Sequence, residues 1–368
     1  MTLSLSNKKL LYMDDRHISI EKGMIKSDAN YMVGMFLAIL QLPPHTQTPY
    51  YFFCIDFYSL IVHEAYHYYS TVEPELAKKF KQLYAADIKQ SRQRIKMYDD
   101  TKLGIEGVGK TLIETITPKH REKLSETHRI KIPKRMWSDV SLYFIEGKAA
   151  PIGSTHLASF NMGIDIIRTF DKSSATGLGE GLGHFLAAIS DAVAYVRLPQ
   201  IYVKTQDINS DKLYAKDRYG SSSKLINAGL SVIDMDLNFA ALCLPNPTNF
   251  TTLFKWKFLM TYHALSSLTM LFESNHIDTI NPEIAGRIKT IVNSELAVMF
   301  KSKGANALRN TLTHYRLDTR LDFRRLNSDP KLFYGIIEAA LPEWSYAELS
   351  SYLDNQIIST LLNPLGAW

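Results

Sequence analysis

The spacing of apolar residues constrains this chain most, because they recur every three or four positions along most of its length. Leu76, Phe80, Leu83, Tyr84, Ile88 and Ile95 form one such stripe, and Ile284, Ile288, Ile291, Val292, Leu296, Met299 and Phe300 form another. That period places side chains on one face of an α-helix, the face that burial stabilises. No strand series, internal repeat or low-complexity tract competes with it. The spacing predicts an all-α fold, a helical bundle.

Local signals divide the bundle. Ser27-Asp28 reads as the N-cap of a helix through Gln41, stopped by Leu42-Pro43-Pro44. A helix from about Tyr50 to Thr71 follows, and Glu73-Pro74-Glu75 opens the next. Further helices are expected at Met136–Phe144, His156–Phe170 and His184–Val203. The polar, aperiodic stretch Thr205–Lys224 reads as a linker. Beyond it helices are expected at Leu225–Leu244 and Phe250–Phe272, then after an Asn281-Pro282-Glu283 cap, with Gly304 ending one helix and the next starting near Asn306. A final pair covers Pro330–Ala340 and Ser345–Leu362. With 368 residues, two domains are expected: 1–204, of unassigned role (sensor, regulator or partner-binding), and 225–368, joined by 205–224.

Charge and cysteine content narrow the context. Lys plus Arg number 42 against 37 acids, a net +5 that permits an anionic partner without requiring one. Cys54 and Cys243 both lie in apolar runs, so buried thiols are expected rather than a disulfide framework. The first residues lack a signal-peptide pattern, and the apolar stretch Tyr50–Val62 is too short to span a bilayer. The expectation is a cytoplasmic protein with no membrane association.

Three motifs carry chemistry. Gly104–Thr111 matches the phosphate-cradling pattern GxxxxGK[ST], but it follows a polar helix exit instead of a buried strand, so a flexible glycine turn is the expectation. His63-Glu64-Ala65-Tyr66-His67 has the HExxH spacing, in which His63 and His67 share a helix face and could hold zinc while Glu64 activates water. A zinc peptidase needs a third ligand. Glu73 and Glu75 are too close for the usual glutamate spacing, and Glu106 is too far. The HxxGxxH pattern is not met, since Ser70 and Glu73 hold its glycine and last histidine positions. That leaves Glu73 without a turn to bring it back, or a tertiary ligand such as His184. Histidines making ordinary polar contacts are the plainer reading.

The third motif is Ala307-Leu308-Arg309-Asn310-Thr311-Leu312-Thr313-His314-Tyr315. As bare spacing it means little, since Arg121–His128 fits too and reads as a decoy. Its setting gives it weight: Asn310 follows the arginine, Leu308 and Leu312 flank it, and it comes late in a helical array. On a regular helix Asn310 and His314 are an i,i+4 pair, so the amide could orient the imidazole. Arg309 lies about 140° round from His314, so the two would meet at a phosphate shared with a paired helix. If the helix ran on, Arg316 and Arg320 would fall within about 20° of Arg309 and Arg324 within about 60°, a basic stripe for RNA.

Residues 225–368 thereby resemble the HEPN superfamily, helical-bundle proteins whose ribonuclease members carry an R-polar-x3–5-H signature. The resemblance implies a C-terminal antiparallel bundle and a metal-independent endoribonuclease completed by two motif copies across a homodimer. In it a ribose 2′-OH attacks the adjacent phosphate, His314 acts as acid or base, and Arg309 stabilises developing charge. It implies no cofactor. It further implies a toxin or phage-defence effector, with RNA as substrate and an antitoxin or defence-system protein as partner. Two alternatives stand beside it: the zinc peptidase, and a non-catalytic scaffold that dimerises or binds nucleotides.

Overall fold

A computed structural model describes residues 15–81, 104–127, 138–162, 172–215, 219–245 and 251–362. The chain is mostly helical, as its apolar spacing requires, with one small sheet. In the first half α1 spans Asp15–Leu40, α2 Pro44–Val72 and α3 Pro74–Lys81. Helix α4, Gly104–Lys110, continues through a π-helical stretch at Thr111–Ile116 into α5, Thr117–Thr127. Helices α6 (Thr155–Met162) and α7 (Lys172–Ile189) follow. The second half holds α8 (Ser210–Leu213), α9 (Lys224–Leu242), α10 (Thr251–Glu273), α11 (Pro282–Val292), α12 (Glu295–Phe300) and α13 (Lys303–His314). Two later helices, α14 (Ile336–Ala340) and α15 (Tyr346–Gln356), follow irregular turns.

Several boundaries follow from their chemistry. The Asn281 side chain accepts from Glu283 N to start α11, with Pro282 in the first turn. Ser294 and Ser302 cap α12 and α13 in the same way, so the apolar stripe from Ile284 to Phe300 is two helices broken at Asn293-Ser294. Gly304 accordingly lies inside the first turn of α13 and ends nothing. Asp28, read above as a cap, sits mid-helix, because α1 already starts at Asp15.

One small three-stranded sheet accompanies the helices that the all-α expectation called for. Strand β1 (Val140–Ile145) lies between β2 (Pro151–Ser154) and β3 (Val203–Ile208), antiparallel to both. Its register with β3 runs from Val140↔Ile208 to Ile145↔Val203, and with β2 from Leu142↔Ser154 to Phe144↔Pro151 across a bulge. The expected helix at Met136–Phe144 is therefore partly β1, and 136–137 lie outside the described residues. Val-Ser-Leu-Tyr-Phe-Ile is rich in strand-forming residues, and a buried run this short shows no period to separate strand from helix. The expected helix at His184–Val203 ends instead at Ile189, and 190–202 run without helix or strand into β3. Asp191, just past the end of that helix, is exposed and accepts from Lys26 and Asn30.

Thr205–Lys224 is likewise no free linker. It contains most of β3 and all of α8, and Asn227 of α9 donates back to the carbonyls of Tyr214 and Ser221. Across the chain, α9 packs on α4 and β2, α10 on α1, and α13 on α2. Cys54 and Cys243 are both buried free thiols. One helix among the described residues, Lys224–Leu242, is long and apolar enough to cross a membrane, and most of it is buried in the protein interior.

Candidate active site

The site forms where α13 stops. Ser302 starts the helix by accepting from Ala305 N, and Leu308 and Leu312 bury its inner face. It ends at His314 because Tyr315 adopts the left-handed conformation, φ 53°. For a side chain other than glycine that conformation costs about 1–2 kcal/mol, so neighbours must hold it. The Tyr315 hydroxyl donates to Asp28 Oδ2 at 2.5 Å, and Lys255 Nζ reaches the same oxygen at 2.6 Å. Thr252 donates to Asp28 Oδ1 at 2.7 Å, and Lys255 also stands 3.8 Å over the Tyr315 ring. All four residues are buried. Burial pulls the Lys255 ammonium below the usual lysine range, while the charges of Asp28 and then Glu64 restore part of the loss. Burial and the Asp28 charge push the Tyr315 phenol far up, so it remains a donor.

This anchor fixes His314. Its Nδ1 donates to Glu64 Oε2 at 2.9 Å; the imidazole is 43% exposed and the glutamate side chain only 6%. A carboxylate can only accept, so the contact places the ring proton on Nδ1 and leaves Nε2 as the nitrogen able to take a proton. Glu64 lies on α2 between buried His63 and exposed His67, whose rings are 4.5 Å apart. Two motifs that the sequence kept separate thus share one site.

The remaining motif residues are placed differently from the helix-wheel expectation. Asn310 does not orient His314: its Nδ2 donates to Asp318 Oδ2 at 3.0 Å. The cause is the turn at Tyr315, after which the chain folds back and Asp318 N donates to Thr311 Oγ1 at 3.0 Å. Arg309 donates to Asn310 Oδ1 at 2.9 Å and stands 5.8 Å over the Tyr262 ring. With α13 ending at His314, no helical stripe joins Arg309 to Arg316, Arg320 and Arg324. Arg320 instead grips Asp318 and donates to Asn306 at 2.8 Å, holding the Asp318 carboxyl far below the usual carboxylate range. Arg324 is paired with Asp322 at 2.8 Å. Arg316 is exposed, and its charge is felt by Glu21 and by Tyr68, one turn after Glu64. Glu21 in turn accepts from Leu317 N at 2.8 Å.

The other motifs resolve as architecture. Among the described residues no group of three His, Cys, Asp or Glu converges as a metal site, and Glu64, which the peptidase reading needs for water, is bound to His314. The Gly104–Lys110 loop is helix α4, not a flexible turn: a Cβ on Gly109 would lie 1.7 Å from Leu225 O, and one on Gly229 would lie 2.3 Å from Ile105 O. Gly109 on α4 and Gly229 on α9 let the two helices touch backbone to backbone. In the decoy, Arg121 pairs with Asp139 at 2.6 Å, and His128 lies outside the described residues.

Sequence reasoning missed Asp28, Lys255 and the role of Glu64. A signal existed for Glu64 and Lys255, each a charge inside an apolar helical run where an unpaired ion is too costly to bury; Asp28, in the polar stretch Lys26–Asn30, gave none. No family model, curated protein or solved structure matches the chain.

Proposed function

We propose that this protein is a metal-independent endoribonuclease of the HEPN type, with His314 as its acid–base group and Glu64 as the residue that positions it. One observation carries the reading: an exposed imidazole at a helix end, its Nδ1 tied to a buried carboxylate, its Nε2 left for a substrate. Such a pair fixes the tautomer and stabilises the imidazolium formed when a proton is taken. The 2′-oxygen of a ribose attacks the adjacent phosphorus, the bond to the 5′-oxygen breaks, and a 2′,3′-cyclic phosphate remains. With two copies paired in a homodimer, one imidazole takes the 2′-OH proton and the other supplies one to the leaving oxygen. Arg309, across the pair, or Arg316, beside the dyad, stabilises the charge on the phosphate oxygens. Arg320 and Arg324, each tied to its own aspartate, contribute less to RNA binding than a free stripe would. In this role the protein is a cytoplasmic toxin or phage-defence effector, with the first half receiving a trigger or a restraining partner.

The test is to incubate wild type, His314→Ala and Arg309→Ala protein with total RNA in EDTA and to map the cut ends. Wild type should yield 2′,3′-cyclic phosphate ends, and His314→Ala none. Cleavage that persists in both variants overturns the assignment.

A further inference from the structure

A groove of about 250 Å³ opens between α10, α12 and the start of α13. Its volume is just below the roughly 300–1,000 Å³ of drug-sized ligand sites, so it suits one flat ring system better than a large molecule. Tyr262 and Phe300, with ring centroids 6.1 Å apart, supply an aromatic wall, and Leu265 and Ala297 line it with them. The polar lining is under-used. Tyr262 Oη accepts from Asn306 Nδ2 at 3.0 Å and so keeps its own proton to give. Ser266 and Thr269 have no hydrogen-bond partner among the described residues. A cation completes it: Lys301 is exposed at the lining with only a 3.4 Å bond to the Val292 carbonyl, and outside the lining Arg309 stands 5.8 Å over the Tyr262 ring.

Apolar walls, hydroxyls able to give and accept, and a cation at the edge are together what a nucleobase with its phosphate demands. We propose that this groove binds a base of the single-stranded RNA substrate, one or more nucleotides away from the bond that is cut. Asn306 precedes His314 by eight residues, about 12 Å along the helix axis, too far for the base at the scissile phosphate. The groove therefore sets which sequence is cut, and the dyad sets where. The choice of RNA as ligand rests on the nuclease reading; the groove's chemistry does not.

The experiment uses full-length His314→Ala protein, so that RNA survives, titrated calorimetrically with AMP, GMP, CMP and UMP and with short single-stranded oligoribonucleotides. At least one mononucleotide should bind and be displaced by an oligoribonucleotide containing that base. Thr269→Val and Tyr262→Phe, which keep shape and remove one hydroxyl, should each weaken it about 3–10-fold. Ser266→Phe, which fills the groove, should remove binding while the thermal melt shows a folded protein. Failure of every mononucleotide to bind at millimolar concentration, or unchanged binding in both Ser266→Phe and Thr269→Val, overturns the proposal. Mononucleotide binding that oligoribonucleotides do not displace assigns the groove to a free nucleotide and overturns the RNA subsite. Groove-dependent binding by a protein that cuts no RNA would sink the nuclease reading alone.

Discussion

His314 Nδ1 and Glu64 Oε2 lie 2.9 Å apart although 250 residues separate them in the chain. The contact joins the end of α13 to the middle of α2, and the two partners differ sharply in exposure, 43% against 6%. A surface ion pair would be worth little. Here the buried member is fixed and directs the exposed one, which is the arrangement acid–base chemistry needs.

If Glu64 positions His314, replacing the carboxylate with an amide should damage cleavage without unfolding the protein. In Glu64→Gln the amide nitrogen can donate to Nδ1 and so favour the wrong tautomer, as asparagine does in a serine-protease triad. We expect a fall of about 10²–10⁴-fold in cleavage rate, with the thermal midpoint nearly unchanged. Cleavage within twofold of wild type would remove Glu64 from the mechanism.

The Asp28–Lys255 pair should behave as a buried ion pair that anchors the turn at Tyr315. Asp28→Asn leaves a buried ammonium without its counter-charge, and we expect a loss of about 3–5 kcal/mol in urea unfolding. The double variant Asp28→Asn/Lys255→Met should recover part of that loss, because no orphaned charge remains. A double variant whose loss equals the sum of the single losses would show that the charges do not act as a pair.

Part of this organisation was legible before the structure. The helices at 224–242, 251–273 and 282–292 follow from apolar periodicity and from the Asn281 cap. The dyad was half legible: Glu64 and His314 each drew attention, but in different motifs, and a pairing across 250 residues leaves no local pattern. The end of α13 was not legible. A tyrosine takes the position where glycine would signal a stop, and only tertiary bonds to Asp28 make it tolerable. The arginine stripe failed for that reason, since it assumed the helix ran on. The sheet was missed because β1 is a short, buried run without alternation, and β3 is an edge strand with four exposed residues in a row.

The glycine motif makes a sharp contrast between neighbours. Gly109→Ala drives a Cβ into the Leu225 carbonyl, and separating α4 from α9 should cost about 1–3 kcal/mol or more. Lys110 is 63% exposed with only a 3.9 Å contact to Glu114, so Lys110→Ala should stay within about 0.5 kcal/mol. Both are read from urea midpoints. Measurable ATP binding lost in Lys110→Ala would restore the phosphate-loop reading.

A second polar cluster predicts how stability depends on pH. His120 Nε2 lies 2.5 Å from Ser159 Oγ, its ring centroid is 4.8 Å from that of His156, and His156 Nδ1 is 3.0 Å from the Tyr214 hydroxyl. Burial pushes His120 down to about 4, with the Asp139 charge opposing, and pushes fully buried His156 well below its ordinary value, with the His120 and Arg121 charges adding to the effect. In the unfolded chain both imidazoles take up protons near pH 6.5, whereas in the fold His120 stays neutral until about 4. Between those values the unfolded state binds more protons, so stability falls as pH falls. For His120 the full effect is at most about 3 kcal/mol, reached near pH 4. Buried Glu21, whose carboxyl is raised by desolvation, works in the opposite sense above its ordinary value, so the wild-type curve alone mixes the two. The difference between wild type and His120→Gln isolates the histidine, because Glu21 is common to both. We expect urea midpoints for His120→Gln to fall less steeply between pH 6.5 and pH 4, the two proteins converging toward the acid end. Parallel curves across that window would show that His120 takes up its proton at the same pH folded and unfolded, and the cluster would then play no part in acid sensitivity.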